Sequence, residues 1–201
     1  MSDDVKELIE SPMSDGDLRK TLGSDLKILR YSELARLRSL EQLLPRPKDH
    51  CILLYEVQPG VGHWVALLKY NGGYEFFDPY GIYPDDQLNW IPRDRRKLLN
   101  QSEPYLTRLL KRGGRQWVYN RRRYQKMSDA VNTCGDHCAH RIYRLTHNDM
   151  DLQDYSDYMD QAREEYTTPI RRNILSGGQV GASGRRITPV SLPAGSGGGK
   201  V

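Results

Sequence analysis

The sequence predicts an α+β domain, and three stretches carry that expectation. Residues 50–78 hold strand-length runs of β-branched and aromatic residues separated by glycine-rich turns. Residues 134–147 have a helical spacing of apolar positions (Cys138, Ile142, Leu145), and a second helix is expected from about Asp149 to Tyr166. After Ser176 the chain becomes rich in Gly and Ser and loses its aromatics, so 176–201 is expected to be a disordered tail. The organisation expected is an N-terminal helical segment (1–48), a folded domain (49–175) and that tail.

In the N-terminal segment Ser14 and Asp17 have the spacing of a capping box, and Gly23 suits a helix stop. Ser32 can cap a second helix carrying Leu34, Leu37, Leu40 and Leu44 on one side, ended by Pro45-Arg46-Pro47. This segment reads as a packing layer or a lid. Next comes a β-meander: His50 to Val57, a turn at 58–62, His63 to Tyr70, the hairpin signal Asn71-Gly72-Gly73, and Tyr74 to Asp78. A charged helical segment spans 85–112, and Gly113-Gly114 breaks it. Residues 115–125 read as one or two short strands leading to the turn before Cys134.

Bulk properties exclude several classes. The 201 residues suffice for one domain with a core, and a net charge of +4 makes a polyanion partner compatible without demanding one. The acidic start Met1-Ser2-Asp3-Asp4 is unlike a secretion signal, and three cysteines is an odd number. Free thiols in a reducing, intracellular compartment are expected. The longest apolar run, Cys51 to Tyr55, is far short of a membrane span, so no membrane partner is expected.

The chemistry concentrates in Asn132-Thr133-Cys134-Gly135-Asp136-His137-Cys138. A cysteine in the first turn of a helix faces unpaired backbone N–H groups and the positive end of the helix dipole, which favour thiolate over thiol. Thr133 or Asn132 can cap that helix, and Gly135 lets a carbonyl substrate come close to the backbone. A thiolate also needs a base. His63 begins one strand and Asp78 ends its hairpin neighbour, which sets the two side by side, with the carboxylate orienting the ring. These residues point to a His–Asp–Cys hydrolase.

Gly62-His63-Trp64, Phe77-Asp78-Pro79-Tyr80-Gly81, a Gln at 125 and Asn132-Thr133-Cys134-Gly135 follow in the order His, Asp, Gln, Cys. That order resembles the adenovirus-protease-like (adenain-like) cysteine peptidases, a group that includes SUMO-specific proteases. Papain-like enzymes run Cys, His, Asn. The Asp-Pro-Tyr-Gly and Asn-Thr-Cys-Gly-Asp-His stretches are most similar to capsid-maturation proteases of double-stranded DNA viruses and virophages. The resemblance spans roughly residues 50–147. It implies a central mixed or antiparallel sheet, surrounding helices, and a nucleophile helix packed on the sheet. It also implies roles: His63 as base and then acid, Asp78 as its orienting partner, Cys134 as nucleophile, and Gln125 with the Cys134 backbone N–H as oxyanion hole. Trp64 and Gly135 would line the substrate path. Gln125 lies nine residues before Cys134, a longer gap than the group usually shows, and Asn132 is the alternative donor.

The resemblance further implies protein substrates cut after Gly-Gly, capsid or core precursors among them, in the virion or the host-cell cytoplasm. Leu175-Ser176-Gly177-Gly178-Gln179 fits that pattern, so self-cleavage after Gly178 is a candidate event; Gly-Gly in a tail is equally ordinary composition. The adenovirus enzyme uses DNA as a cofactor, and Arg121, Arg122 and Arg123, interleaved with Tyr119 and Tyr124, are candidate DNA contacts here. No cofactor is required by the chemistry. Cys134, His137, Cys138 and His140 crowd one helix in a way that suits tetrahedral zinc poorly, so no metal site is expected. Two alternatives stand beside the endopeptidase: a deconjugase for SUMO or another ubiquitin-like protein, and a non-catalytic DNA-binding virion protein.

Overall fold

A computed structural model describes residues 10–44, 47, 49–126 and 132–165. The proposed tail and the Leu175–Gln179 stretch, Gly178 included, lie outside these residues.

The chain folds as α+β around one mixed sheet of five strands in sequential order: β1 (Ile28–Arg30), β2 (His50–Gln58), β3 (Val61–Tyr70), β4 (Gly73–Phe77) and β5 (Trp117–Tyr119). β2, β3 and β4 are antiparallel neighbours, and the two outer pairs, β1–β2 and β4–β5, are parallel. The meander is local physics. Asn71 and Gly72 both take positive φ (49° and 77°), the backbone a tight hairpin needs between right-twisted strands. Gly62 permits the close approach of β2, because a Cβ there would sit 1.9 Å from the Tyr55 carbonyl oxygen.

The segment before residue 49 differs from the all-helical expectation, since it contributes β1 to the sheet edge. Its helix α1 (Asp15–Leu22) begins with the expected Ser14–Asp17 capping box, and Gly23 ends it. The second predicted helix is a 3₁₀ turn at Tyr31–Arg36 followed by the short α2 (Leu40–Leu43). Leu34, Leu40 and Leu44 are nonetheless buried, as their spacing required. The 85–112 segment is broken into a 3₁₀ turn (Asp86–Trp90), α3 (Arg93–Leu98) and α4 (Tyr105–Arg112). The chain then passes through β5 to α5 (Cys134–Asn148) and α6 (Leu152–Glu165).

Both faces of the sheet are covered, which is why its central strands read as nearly continuous apolar runs. On one face Leu53, Tyr55, Val65, Leu67 and Phe76 pack with Tyr31, Leu34 and Leu106. On the other, Ile52, Leu54, Trp64, Ala66 and Phe77 pack with Leu18, Cys138, Ala139 and Ile142. This second layer holds α5 against β3.

A buried ion pair adds direction to that packing. Arg141, midway along α5, donates from Nε and Nη2 to the two oxygens of Glu75 in β4, at 2.7 and 2.6 Å. Nη1 donates to the Met150 carbonyl (3.0 Å), and the guanidinium lies 5.0 Å from the Tyr155 ring centroid. Both side chains are almost wholly buried. Deleting one partner leaves the other charge stranded, so Arg141→Met is expected to lose about 3–5 kcal/mol of unfolding free energy in urea melts. Arg141→Met with Glu75→Leu should recover most of it. A single variant as stable as wild type would show that the pair does not hold α5.

Candidate active site

The site is built where β3 begins, β4 ends and α5 starts. In the β3–β4 pairing Ala66 faces Phe77. Continuing that register by three places sets His63 opposite Tyr80 and leaves Asp78 on the diagonal. His63 Nε2 is 2.9 Å from Asp78 Oδ1, and both side chains are buried. The same Oδ1 accepts the Tyr80 backbone N–H at 2.7 Å. The Asp78 main chain is held as well: its N–H donates to Asn120 Oδ1 (2.7 Å), and Asn120 Nδ2 returns a bond to its carbonyl. The carboxylate is thus fixed in direction before it meets the ring.

Cys134 is the first residue of α5, as predicted, with its sulfur at the N-terminal end of a 15-residue helix. The expected cap differs. Thr133 stands at the N-cap position but makes no side-chain capping bond, and Asn132 Nδ2 donates instead to the Glu10 carbonyl at 2.7 Å. The Cys134 side chain is the second group that acts on the His63 ring. Nε2 is the ring nitrogen turned to the carboxylate. Burial works against charge on this ring, but the Asp78 carboxylate and its hydrogen bond, with Cys134 adding to them, outweigh it and hold the imidazolium up to about 10, against an ordinary 6.5. That charge therefore supports folding in full below pH 6.5, and its contribution is gone once pH rises past about 10. The arrangement can keep a proton on His63 beside a nucleophilic sulfur.

Gln125 is brought to the same place by the loop after β4. The Pro79 carbonyl accepts the backbone N–H groups of Tyr124 (2.9 Å) and Gln125 (3.0 Å). Gly81 (φ 70°) makes room for this segment, since a Cβ there would lie 2.6 Å from the Arg122 carbonyl oxygen. The Gln125 side chain is buried, and its Nε2 donates to the Tyr80 hydroxyl at 3.3 Å. Asn132, the alternative oxyanion donor, is engaged with Glu10.

Trp64 and Gly135 meet at Met13, a residue of the N-terminal segment that the sequence does not single out. The Trp64 indole N–H donates to the Met13 carbonyl at 2.9 Å. The Met13 side chain packs so closely on Gly135 that a Cβ on that glycine would come within 2.8 Å. Met13 thus lies across both residues, and Cys134 is only 6% exposed. Met13 just precedes the capping box of α1, and α1 packs on α5; the capping signal was legible, but this long-range docking was not.

The remaining sequence candidates separate cleanly. Arg122 forms an ion pair with Asp160, while Arg121 and Arg123 are exposed, Arg121 lying 5.7 Å from the Tyr119 ring centroid. Cys138 donates to the Trp64 carbonyl at 3.4 Å, and Cys51 is fully buried, its thiol pushed up to about 12 by that burial. Burial lowers His137 to about 4 and, with Arg144 nearby, His140 to about 3, so neither is charged at neutral pH. His140 Nδ1 is 3.0 Å from the Tyr155 hydroxyl. Among the described residues no group of three His, Cys, Asp or Glu side chains could hold a metal ion.

Iodoacetamide should therefore label Cys134 ahead of Cys51 and Cys138, and Met13→Ala should raise the Cys134 rate several-fold. Peptide mapping after partial labelling checks both. Equal labelling of all three cysteines in the folded protein would remove the argument for a distinct thiol.

No family model matches the chain. It is 32% identical, over 155 residues that cover 77% of this chain and 86% of the relative, to a protein of Sputnik virophage named "Uncharacterized protein V9". The chain belongs to the family of that virophage protein.

Proposed function

We propose that this chain is a virophage-type cysteine endopeptidase with an adenain-like arrangement, cutting capsid or core precursors after Gly-Gly. The observation that carries this reading is His63, bonded to the Asp78 carboxylate and influenced by the Cys134 side chain at the start of α5. In the proposed cycle the Cys134 sulfur attacks the scissile carbonyl, and the oxyanion is met by the Cys134 backbone N–H and Gln125 Nε2. His63 gives its proton to the leaving amine, and a thioester remains. Water then attacks, His63 takes the proton from it, the carboxyl product leaves, and the sulfur is regenerated. Asp78 keeps the ring oriented and favours the imidazolium throughout.

The family relationship supports a role in a virophage, where virion or host cytoplasm would be the setting. No helix among the described residues is long and apolar enough to cross a membrane. DNA is proposed only as an activator, through exposed Arg121 and Arg123; a steep loss of stimulation with salt would be its sign.

A Leu-Ser-Gly-Gly-Gln peptide should be cut after its second glycine by wild type and not by Cys134→Ala, with liquid chromatography–mass spectrometry as the readout. If the peptide stays intact but a folded SUMO-like protein is processed at its Gly-Gly terminus, the deconjugase reading replaces this one. If neither is cut, with or without DNA, the non-catalytic reading does. In active protein, Asp78→Asn should lower the rate on the order of 10³–10⁴-fold. It should also move the alkaline limb, near pH 10 in wild type, to lower pH, because the charge that holds the His63 proton is gone. An unmoved limb would take His63 out of the proton transfer.

A further inference from the structure

We infer that Tyr80 is the positioning residue that couples the His63–Asp78 pair to Gln125, an inference that rests on the peptidase reading above. Three separate parts of this residue touch three parts of the site. Its ring stacks on the His63 imidazole, centroids 4.4 Å apart and planes 16° from parallel. Its backbone N–H donates at 2.7 Å to Asp78 Oδ1, the oxygen His63 Nε2 uses. Its hydroxyl accepts from Gln125 Nε2 at 3.3 Å.

Each contact removes one freedom that a catalytic site cannot tolerate. Among the described residues the buried Asp78 Oδ2 has no hydrogen-bond partner and the carboxylate is directed through Oδ1, where Tyr80 N–H is one of the two bonds. An imidazole bound at one edge can still swing about its side-chain torsions; an aromatic plane against its face blocks that swing and keeps water from the Nε2 proton. The negative face of the phenol also suits an imidazolium. On the other side Tyr80 is backed by Trp90, centroids 5.8 Å apart. A primary amide has two N–H bonds. When one is given to the Tyr80 hydroxyl, the rotation of the Gln125 amide is restricted and the direction of the other N–H is set. Ring and hydroxyl therefore do different work: the ring serves the base, and the hydroxyl serves the oxyanion donor.

This division makes the inference testable with two variants. Tyr80→Phe keeps the ring and the backbone bond but removes the hydroxyl to which Gln125 donates. On the Gly-Gly peptide its kcat should fall on the order of tenfold, less than the 10²–10³ expected for losing an oxyanion donor outright, with KM nearly unchanged. In a Gln125→Ala background Tyr80→Phe should cost nothing further. Tyr80→Leu removes the ring. In its proton NMR spectrum the low-field signal of the His63 Nε2 proton, present in wild type and in Tyr80→Phe, should be lost to solvent exchange. That signal needs no substrate, so it separates the two claims. If wild type cuts no peptide yet loses the signal only in Tyr80→Leu, the function fails and the positioning role of the ring stands. Tyr80→Phe with wild-type kcat, a loss that persists without Gln125, or a signal retained in Tyr80→Leu would each overturn the coupling.

Discussion

The parts of the site hang on the backbone of one loop, Asp78 to Gly81, at the end of β4. Asp78 supplies the carboxylate, and Asn120 holds its main chain from both sides. The Pro79 carbonyl takes two N–H groups from the segment that carries Gln125, and Gly81 lets that segment approach. β4 pairs with both the strand that positions His63 and the strand that leads to Gln125, and this clasp carries that shared reference past the strand ends to the site. The loop converts the register of a hairpin into the geometry of a site, and its main-chain groups are held by Asn120, by the Asp78 carboxylate and by the segment before Gln125.

The other half of the geometry is the placement of α5. Apolar burial on one sheet face brings the helix to β3 but does not set how far it slides along its axis. The Glu75–Arg141 pair does, because the two hydrogen bonds of one bidentate pair tolerate little displacement. Glu75 lies three residues before Asp78, and Arg141 seven after Cys134, so one clamp fixes carboxylate strand and nucleophile helix together. A buried ion pair gains little over an apolar pair in net stability. Its value in this molecule is the register of α5.

The parts of this structure that were legible in the sequence are those written locally. Asn71-Gly72 specifies a tight hairpin, and a tight hairpin brings His63 beside Asp78 whatever surrounds it. The polar turn and apolar periodicity after Cys134 marked a helix start, and Ser14 with Asp17 marked another. What escaped the reading depends on partners distant in sequence. β1 joins the sheet through a parallel pairing that no turn announces, so its segment read as helix alone. Met13 reaches Trp64 and Gly135 across 51 and 122 residues. Tyr80 was visible as part of a motif, but its contact with Gln125 was not. The absent cap at Thr133 has the same cause: Asn132 turns to the Glu10 carbonyl, a partner that local sequence cannot reveal.

In the proposed cycle Cys134 becomes acylated. The most direct measurement is acid quenching of wild type within the first turnovers of a Leu-Ser-Gly-Gly ester, followed by mapping of the modified peptide. The expected result is a mass increase equal to the acyl group, on Cys134 alone, removable by hydroxylamine and absent in His63→Ala. No adduct while the ester is consumed, or an adduct on Cys51 or Cys138, would contradict it.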